Sequence, residues 1–420
     1  MYKSIILGLI LIFLFSLVGC GFVNKHDLID VPAKEDVSTH DEITPTPTPL
    51  DIEDTDEISE KIDKMTIDEK IGQMVIAGFD GTETSENVKN LVEKYKIGGL
   101  ILFKKNIKTP GQLLSLINSI KMLNQNNKLP LFFSVDEEGG SLTRMPDDLK
   151  KLPTNEKVGL INNEDFSYNI GSIIAQEVKC FGFNLDFAPV LDINSNPKNP
   201  VIGIRSFGPD KNLVSKLGVA TMKGIQSQNI IPVVKHFPGH GDTSVDSHFA
   251  LPVVNHDLER LKNFELVPFE NAIENDADAV MVAHILLKKI DPNFPSSLSK
   301  AVITDLLRYD LRFNGVVITD DMTMDAILKN YNLGDAAVTS VNAGADIILV
   351  CHGYERQIEV LNSLKKAVED GKLTEDRIDE SLYRILKLKQ KYNLSDDAID
   401  SFNIEDINNK ISFLIKKYVK

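Results

Sequence analysis

Residues Lys235 to His248 read KHFPGHGDTSVDSH and hold three of the chain's eight histidines, two aspartates and two glycines. Three chemistries suit such a stretch: metal binding, phosphate binding and proton transfer. His236, His240 and His248 with an aspartate are adequate zinc ligands. Their spacings of four and eight fall in a loop broken by Gly and Pro, so no helix face sets them in place. No metal is therefore expected, and no cofactor. A phosphate cradle needs a Gly-rich turn leading straight into a helix, whereas FALPVV follows here. Proton transfer fits better. Asp246 and His248 are two apart, and on extended chain such neighbours point the same way. A carboxylate beside an imidazole orients the ring and favours its protonated form. The pair would then give and take protons near neutral pH.

Something rigid must hold those groups. Eight apolar runs recur along the chain: Met74–Phe79, Gly99–Phe103, Pro130–Asp136, Phe183–Ile193, Ile230–Phe237, Ala279–Ile285, Gly315–Asp321 and Ala345–Val350. Amphipathic stretches such as SENVKNLVEKYK and ERQIEVLNSLKKAVED separate them. Short strands alternating with helices predict an α/β fold with parallel pairing, here a single (β/α)8 barrel. A doubly wound open sheet would carry a Gly-rich fingerprint after its first strand, and none is present. The barrel is expected over 59–394, opened by a capping box at Thr66 and Glu69, with 395–420 as a short helical extension. Barrels carry their chemistry at the C-terminal strand ends. Those ends hold Asp136, Lys235 with His236, His284, and the pair Asp320–Asp321. Of that pair one is expected to face the barrel mouth and the other to cap a helix starting near Met322.

The net charge of −15 argues against nucleic acid, whose phosphates demand clustered Lys and Arg. Three cysteines are too few and too scattered for a disulfide framework or zinc knuckle; Cys180 and Cys351 read as buried thiols. The opening MYKSIILGLILIFLFSLVGC has the charge and length of a secretory leader rather than a membrane span. Its end, LVGC, resembles the lipobox of bacterial lipoproteins, which implies that the leader segment 1–20 ends at a lipidated Cys20, that Cys20 becomes the mature N-terminus, and that the address is extracytoplasmic on the membrane. The acidic stretch 21–58 with its TPTPTP core reads as an extended tether.

Taken together, the blocks KHFPGHGDTSVDSHFALP, DEEGGSLTR, NLDFAPVLDI, NPVIGIRSFG, MVAHI and FNGVVITDDM resemble, in order, those of family 3 glycoside hydrolases of the β-N-acetylglucosaminidase branch. The likeness spans roughly Ile62 to Tyr392. It implies a (β/α)8 barrel that removes terminal β-linked N-acetylglucosamine with retention. It assigns Asp320 as nucleophile and His248 as acid/base assisted by Asp246. It places Asp136, Arg144, Arg205, Lys235 and His236 on the sugar's hydroxyls, leaving His240 and His284 as supporting residues behind them. The serine of GGSLTR stands where the branch often has arginine, while Arg144 is kept. Other branches draw a carboxylate acid/base from a second domain; none follows the barrel in this sequence, so the histidine loop is expected to supply it.

A carboxylate below the anomeric carbon and a proton donor above the leaving oxygen are what retention requires. An imidazole with an ordinary pKa near 6.5 serves both steps, so a near-neutral optimum is expected. The lack of tryptophan favours a small pocket for one terminal sugar over a long aromatic cleft. With the outward address, peptidoglycan fragments are the expected substrate, and a monomer the expected unit. The competing readings are a β-glucosidase or β-xylosidase, a phosphorylase in which phosphate replaces water, and a sugar-binding protein on a disabled barrel.

Overall fold

A computed structural model of the chain describes residues 55–243, 246–247 and 251–419. Three expectations fall outside the described residues: the leader ending at Cys20, the tether through residue 54, and His248. Among the described residues no helix is long and apolar enough to cross a membrane.

Eight strands form one parallel sheet: β1 Val75–Gly78, β2 Gly99–Leu102, β3 Phe132–Val135, β4 Leu185–Asp186, β5 Ile231–Phe237, β6 Ala279–Val282, β7 Val316–Thr319 and β8 Ile348–Val350. Each lies in one of the eight apolar runs. Every residue of β1, β2, β3 and β7 is buried, as parallel strands covered on both faces should be. The order runs β8-β1-β2-β3-β4-β5-β6-β7. A parallel bridge between Ile318 and Ile347 joins the two ends, so the sheet is a nearly closed barrel.

Helices follow the strands. Their N-termini are set by side-chain caps, among them Asn163, Asp210 and Thr374, each accepting an N–H three residues on. The capping box at Thr66 is complete: Thr66 Oγ1 accepts from Glu69 N, and Glu69 Oε2 accepts from Thr66 N at 2.9 Å. A further helix, Thr55–Asp63, precedes it and spans the tether boundary at 58. Its Ile58 and Ile62 are buried in the core. After the last barrel helix, Glu375–Lys391, Asp396 fastens the chain beneath the barrel by accepting from Leu131 N and Asn124 Nδ2. Helix Ile404–Tyr418 then packs on helix Glu164–Lys179, with the Tyr418 ring 5.0 Å from Phe166.

Two details position the site. The pairing of β5 with β6 slips between Val234 and Phe237, where three steps on β5 face two on β6. On a regular strand the neighbours Lys235 and His236 would point to opposite faces; at this irregularity both line the same cavity. Beyond β5 the chain returns as a short strand, Val253–Val254, paired with Leu286–Leu287 outside the barrel. The segment with Asp246 and Ser247 lies between these anchors.

Candidate active site

A cavity of about 340 Å³ opens at the C-terminal strand ends. Asp136, Arg144, Arg205, Lys235, His236 and Asp320 all line it. They come from five separate stretches of sequence, brought together by the barrel.

Lys235, almost wholly buried, donates to Asp136 Oδ1 at 2.7 Å and pairs with Glu138 Oε1 at 2.8 Å. Arg205 grips Glu138 with two prongs, Nε at 2.9 Å and Nη2 at 2.7 Å. Burial alone would raise the Glu138 carboxyl, but the Arg205 guanidinium and Lys235 ammonium hold it well below the usual carboxylate range. Burial likewise pulls Lys235 down, and Asp136 and Glu138 lift it above its ordinary value, so it stays charged. Asp192, fully buried, receives His236 Nδ1 at 2.6 Å and the His240 amide at 2.6 Å. A proton on His236 Nδ1 leaves Nε2 to accept from Arg205 Nη2 at 3.4 Å.

These six ionic and imidazole groups form one cross-braced wall. The Arg144 side chain joins the cavity lining with Nε buried and without a hydrogen-bond partner among the described residues. An orphaned guanidinium N–H on a cavity wall is what a bound hydroxyl would satisfy.

His240 is buried next to this wall and lines the same cavity, its ring edge-on to His236 at 5.9 Å. Nδ1 meets Thr243 Oγ1 at 2.7 Å, and Nε2 meets Ser247 Oγ at 3.1 Å. Burial and the neighbouring His236 push its pKa down to about 4, so it is neutral at working pH. It positions rather than transfers protons. Ser247, itself on the cavity wall, also accepts the Ala326 amide at 3.3 Å through its carbonyl. Asp246 beside it is half-buried, and His248 lies outside the described residues.

To the same cavity β7 delivers Asp320, half-buried, with its amide on Val282 O at 2.9 Å. Asp321 is held differently. Its Oδ1 accepts from Thr323 N and Cys351 N, both at 2.9 Å, which ties the β7 turn to the end of β8. The following helix begins at Asp325, not near Met322, and its N-terminus has no side-chain cap. Asp321 therefore braces a turn instead of capping a helix. His284, fully buried, backs the same turn through Asp321 O at 3.0 Å and Ser297 Oγ at 2.6 Å. Cys351 is buried in the cavity lining. Cys180 is only half-buried, and burial pushes its thiol up to about 12.

Sequence reasoning missed Glu138 and Asp192. Glu138 was visible as the last of Asp136-Glu137-Glu138, and Asp192 as the last acid of an apolar run. Nothing local distinguishes a buried acid that pairs across the barrel from a surface one. Among the described residues no three His, Cys, Asp or Glu side chains converge as a metal-binding group.

Beneath the loop that carries Arg144 lie three buried carboxyls. Glu137 accepts from Arg144 N and Thr143 Oγ1 at 2.8 Å, and Asp186 accepts from Glu137 N at 2.9 Å. Burial pushes Glu137 up to about 7, and raises Glu177 and Asp186 well above their ordinary values, with further lift for both from the Glu137 charge. Each holds its proton to higher pH in the folded chain than in the unfolded one. Their contribution to stability is full below an unfolded value of 4.5 for the glutamates and is lost as pH rises, through about 7 for Glu137. Glu177→Gln should therefore raise stability at pH 8 by about 1–3 kcal/mol, the cost of an ill-satisfied buried polar group, and by much less at pH 5. Equal melting temperatures for variant and parent at both pH values would refute this account.

Comparison with known proteins agrees with this geometry. Residues 66–388 match the model of the glycosyl hydrolase family 3 N terminal domain. The chain is 34% identical over 334 residues to beta-hexosaminidase A of Pseudoalteromonas piscicida, covering 74% of this chain and 56% of that one. It is 33% identical over 291 residues to the beta-hexosaminidase of Methylobacillus flagellatus, covering 68% and 82%. Among solved structures, a family 3 beta-N-acetylglucosaminidase from Paenibacillus sp. str. FPU-7 superposes with a TM-score of 0.80 at 41% identity, covering 84% of this chain and 69% of that one. The chain thus spans little more than half the length of the first relative and most of the second.

Proposed function

The chain belongs to glycosyl hydrolase family 3, and on that premise we propose that it is a retaining exo-β-N-acetylglucosaminidase acting on peptidoglycan fragments. The relatives named beta-hexosaminidase and the Paenibacillus beta-N-acetylglucosaminidase support the sugar. The observation that carries the reading is one cavity lined by Asp320, by Asp136, Lys235 and Arg205 with Glu138 bracing the two cations, and by Ser247, neighbour of His248.

In this reading the wall and Arg144 bind the hydroxyls of a terminal sugar, charged groups fixed by each other before substrate arrives. Asp320 attacks the anomeric carbon as the glycosidic bond breaks, and the departing oxygen takes a proton from the His248 imidazolium. Water then attacks the same carbon, yields its proton to the neutral His248, and Asp320 leaves. Two inversions give net retention. Asp246 favours the protonated ring and aims it.

The test pairs substrate with leaving group. An aryl N-acetylglucosaminide should be cleaved far faster than the matching glucoside; preference for the glucoside would refute the sugar assignment. His248→Ala should lose about 10²- to 10⁴-fold on a poor leaving group, the range for general acid catalysis, and much less on a dinitrophenyl one. Equal losses on both would remove His248 from proton transfer.

The address belongs to the same proposal. Lipidation at Cys20 would hold the enzyme on the outer face of the cell membrane, near wall material. Cys20→Ser should shift the protein from the membrane fraction to the medium, and retention on membranes would refute anchoring at that residue.

A further inference from the structure

The chain leaves β5 at Phe237, passes Asp242, carries Asp246 and Ser247, and reaches His256 just after the short strand Val253–Val254. Asp242 and His256 stand 14 positions apart in sequence, yet His256 Nε2 lies 2.6 Å from Asp242 Oδ2. Asp242 Oδ1 in addition accepts from Ser195 Oγ at 3.4 Å. Glu265 also lies 3.8 Å from His256 Nε2, and Arg260 in turn chelates Glu265 with Nη2 at 2.9 Å and Nε at 3.1 Å. Next in sequence, Asp257 caps the helix Leu258–Asn263 and takes Lys289 at 3.4 Å.

Glu265 is buried and also supports the start of the loop. A Cβ built on Gly239, whose φ is +126°, would stand 3.1 Å from the Glu265 Cβ, so the chain passes against it. At the same end, Asn199 Nδ2 donates to His240 O at 2.8 Å and Thr243 O at 3.0 Å.

Exposed ion pairs between long side chains contribute little, because holding both in one geometry costs entropy. This pair differs. An aspartate and an imidazole have few rotors, both are half-buried, with side-chain exposures of 34% and 26%, and each sits toward one end of the loop. Fixing the ends of a loop removes conformations from everything between them.

We propose that Asp242 and His256 form a clasp across the base of this loop and act as positioning residues for proton transfer to the leaving group. The inference rests on the reading that His248 donates that proton. Neither residue touches substrate. Their effect on rate is to keep the donor's neighbours within reach of the leaving oxygen, a placement to which turnover is steeply sensitive.

The test uses His256→Ala, Asp242→Ala, the double variant and the conservative Asp242→Asn in the full chain, assayed on a poor and a dinitrophenyl leaving group beside His248→Ala. His256→Ala should lose about tenfold or more in kcat on the poor leaving group and less than about twofold on the activated one, with KM little changed. The double variant should be no worse than the worse single one, the non-additivity of a shared contact. Asp242→Asn, which keeps a hydrogen-bonding partner, should recover most of the loss.

Equal losses on both substrates, or none on either, would overturn the clasp. If His248→Ala shows the leaving-group dependence and His256→Ala does not, the clasp alone falls. If His248→Ala shows none, the reading beneath it falls first and the clasp with it. Should His256→Ala fail to fold, Asp242→Ala carries the same comparison.

Discussion

Asp320→Ala should lower kcat on an aryl N-acetylglucosaminide by on the order of 10⁴- to 10⁶-fold, the loss that follows removal of a covalent nucleophile. Folding should survive. The Asp320 amide bonds to Val282 O through backbone, which holds the strand end in place whatever the side chain, and its Oδ1 accepts from Asp321 N at 2.8 Å. Added azide should restore part of the turnover by attacking the anomeric carbon directly and should leave an α-glycosyl azide, since a single displacement inverts. Asp321→Asn is the contrast, because its carboxylate braces the turn to Thr323 and Cys351. It should cost stability more than it costs chemistry. Residual activity of Asp320→Ala within a hundredfold of the parent would sink the nucleophile assignment, as would a β-azide product.

The largest loss of stability is expected far from the cavity. Asp346, fully buried just before β8, accepts from Arg308 Nη2 at 2.5 Å, Arg384 Nη1 at 3.1 Å, Ser381 Oγ and Val317 N at 2.9 Å each, with Arg377 at 3.6 Å. Burial alone would raise this carboxyl; the three arginines hold it below its ordinary value. Its contribution to stability is therefore full above an unfolded value of 3.8 and is lost as pH falls. Asp346→Ala would strand Arg308, which burial already pulls down to about 10, without its carboxylate. Removing one partner of a buried pair costs about 3–5 kcal/mol. The exposed pair of Asp68 with Lys365 at 2.7 Å supplies the control, and Asp68→Ala should cost less than about 1 kcal/mol. Urea denaturation of both variants at pH 7 checks this. Similar midpoints for the two would mean that burial does not set the energetics of the Asp346 cluster.

How much of this was legible beforehand follows from what kind of signal each part leaves. The eight strands were readable because a parallel strand buried on both faces is a continuous apolar run, as in GLIL and VVIT. The Thr66–Glu69 box was readable because it closes within one helical turn. The polar residues at strand ends were readable as a group, since water-avoiding runs rarely stop in Asp, Lys or His without a reason. Glu138, Asp192 and Asp346 were not. Each acts through partners dozens of positions away, such as Arg205, 67 positions from Glu138.

The sequence by itself determined the order of strands and helices, the run of polar groups at one barrel end, and the family. Local pattern suffices there, because periodicity and capping are decided within a few residues. Only the tertiary structure decided which acids pair with which cations, that a slip in β5 turns Lys235 and His236 to one cavity, and that Asp321 braces a turn. Those outcomes depend on distances between strands and on exclusion of water. Both arise only when the barrel has closed, and no stretch of sequence carries them alone.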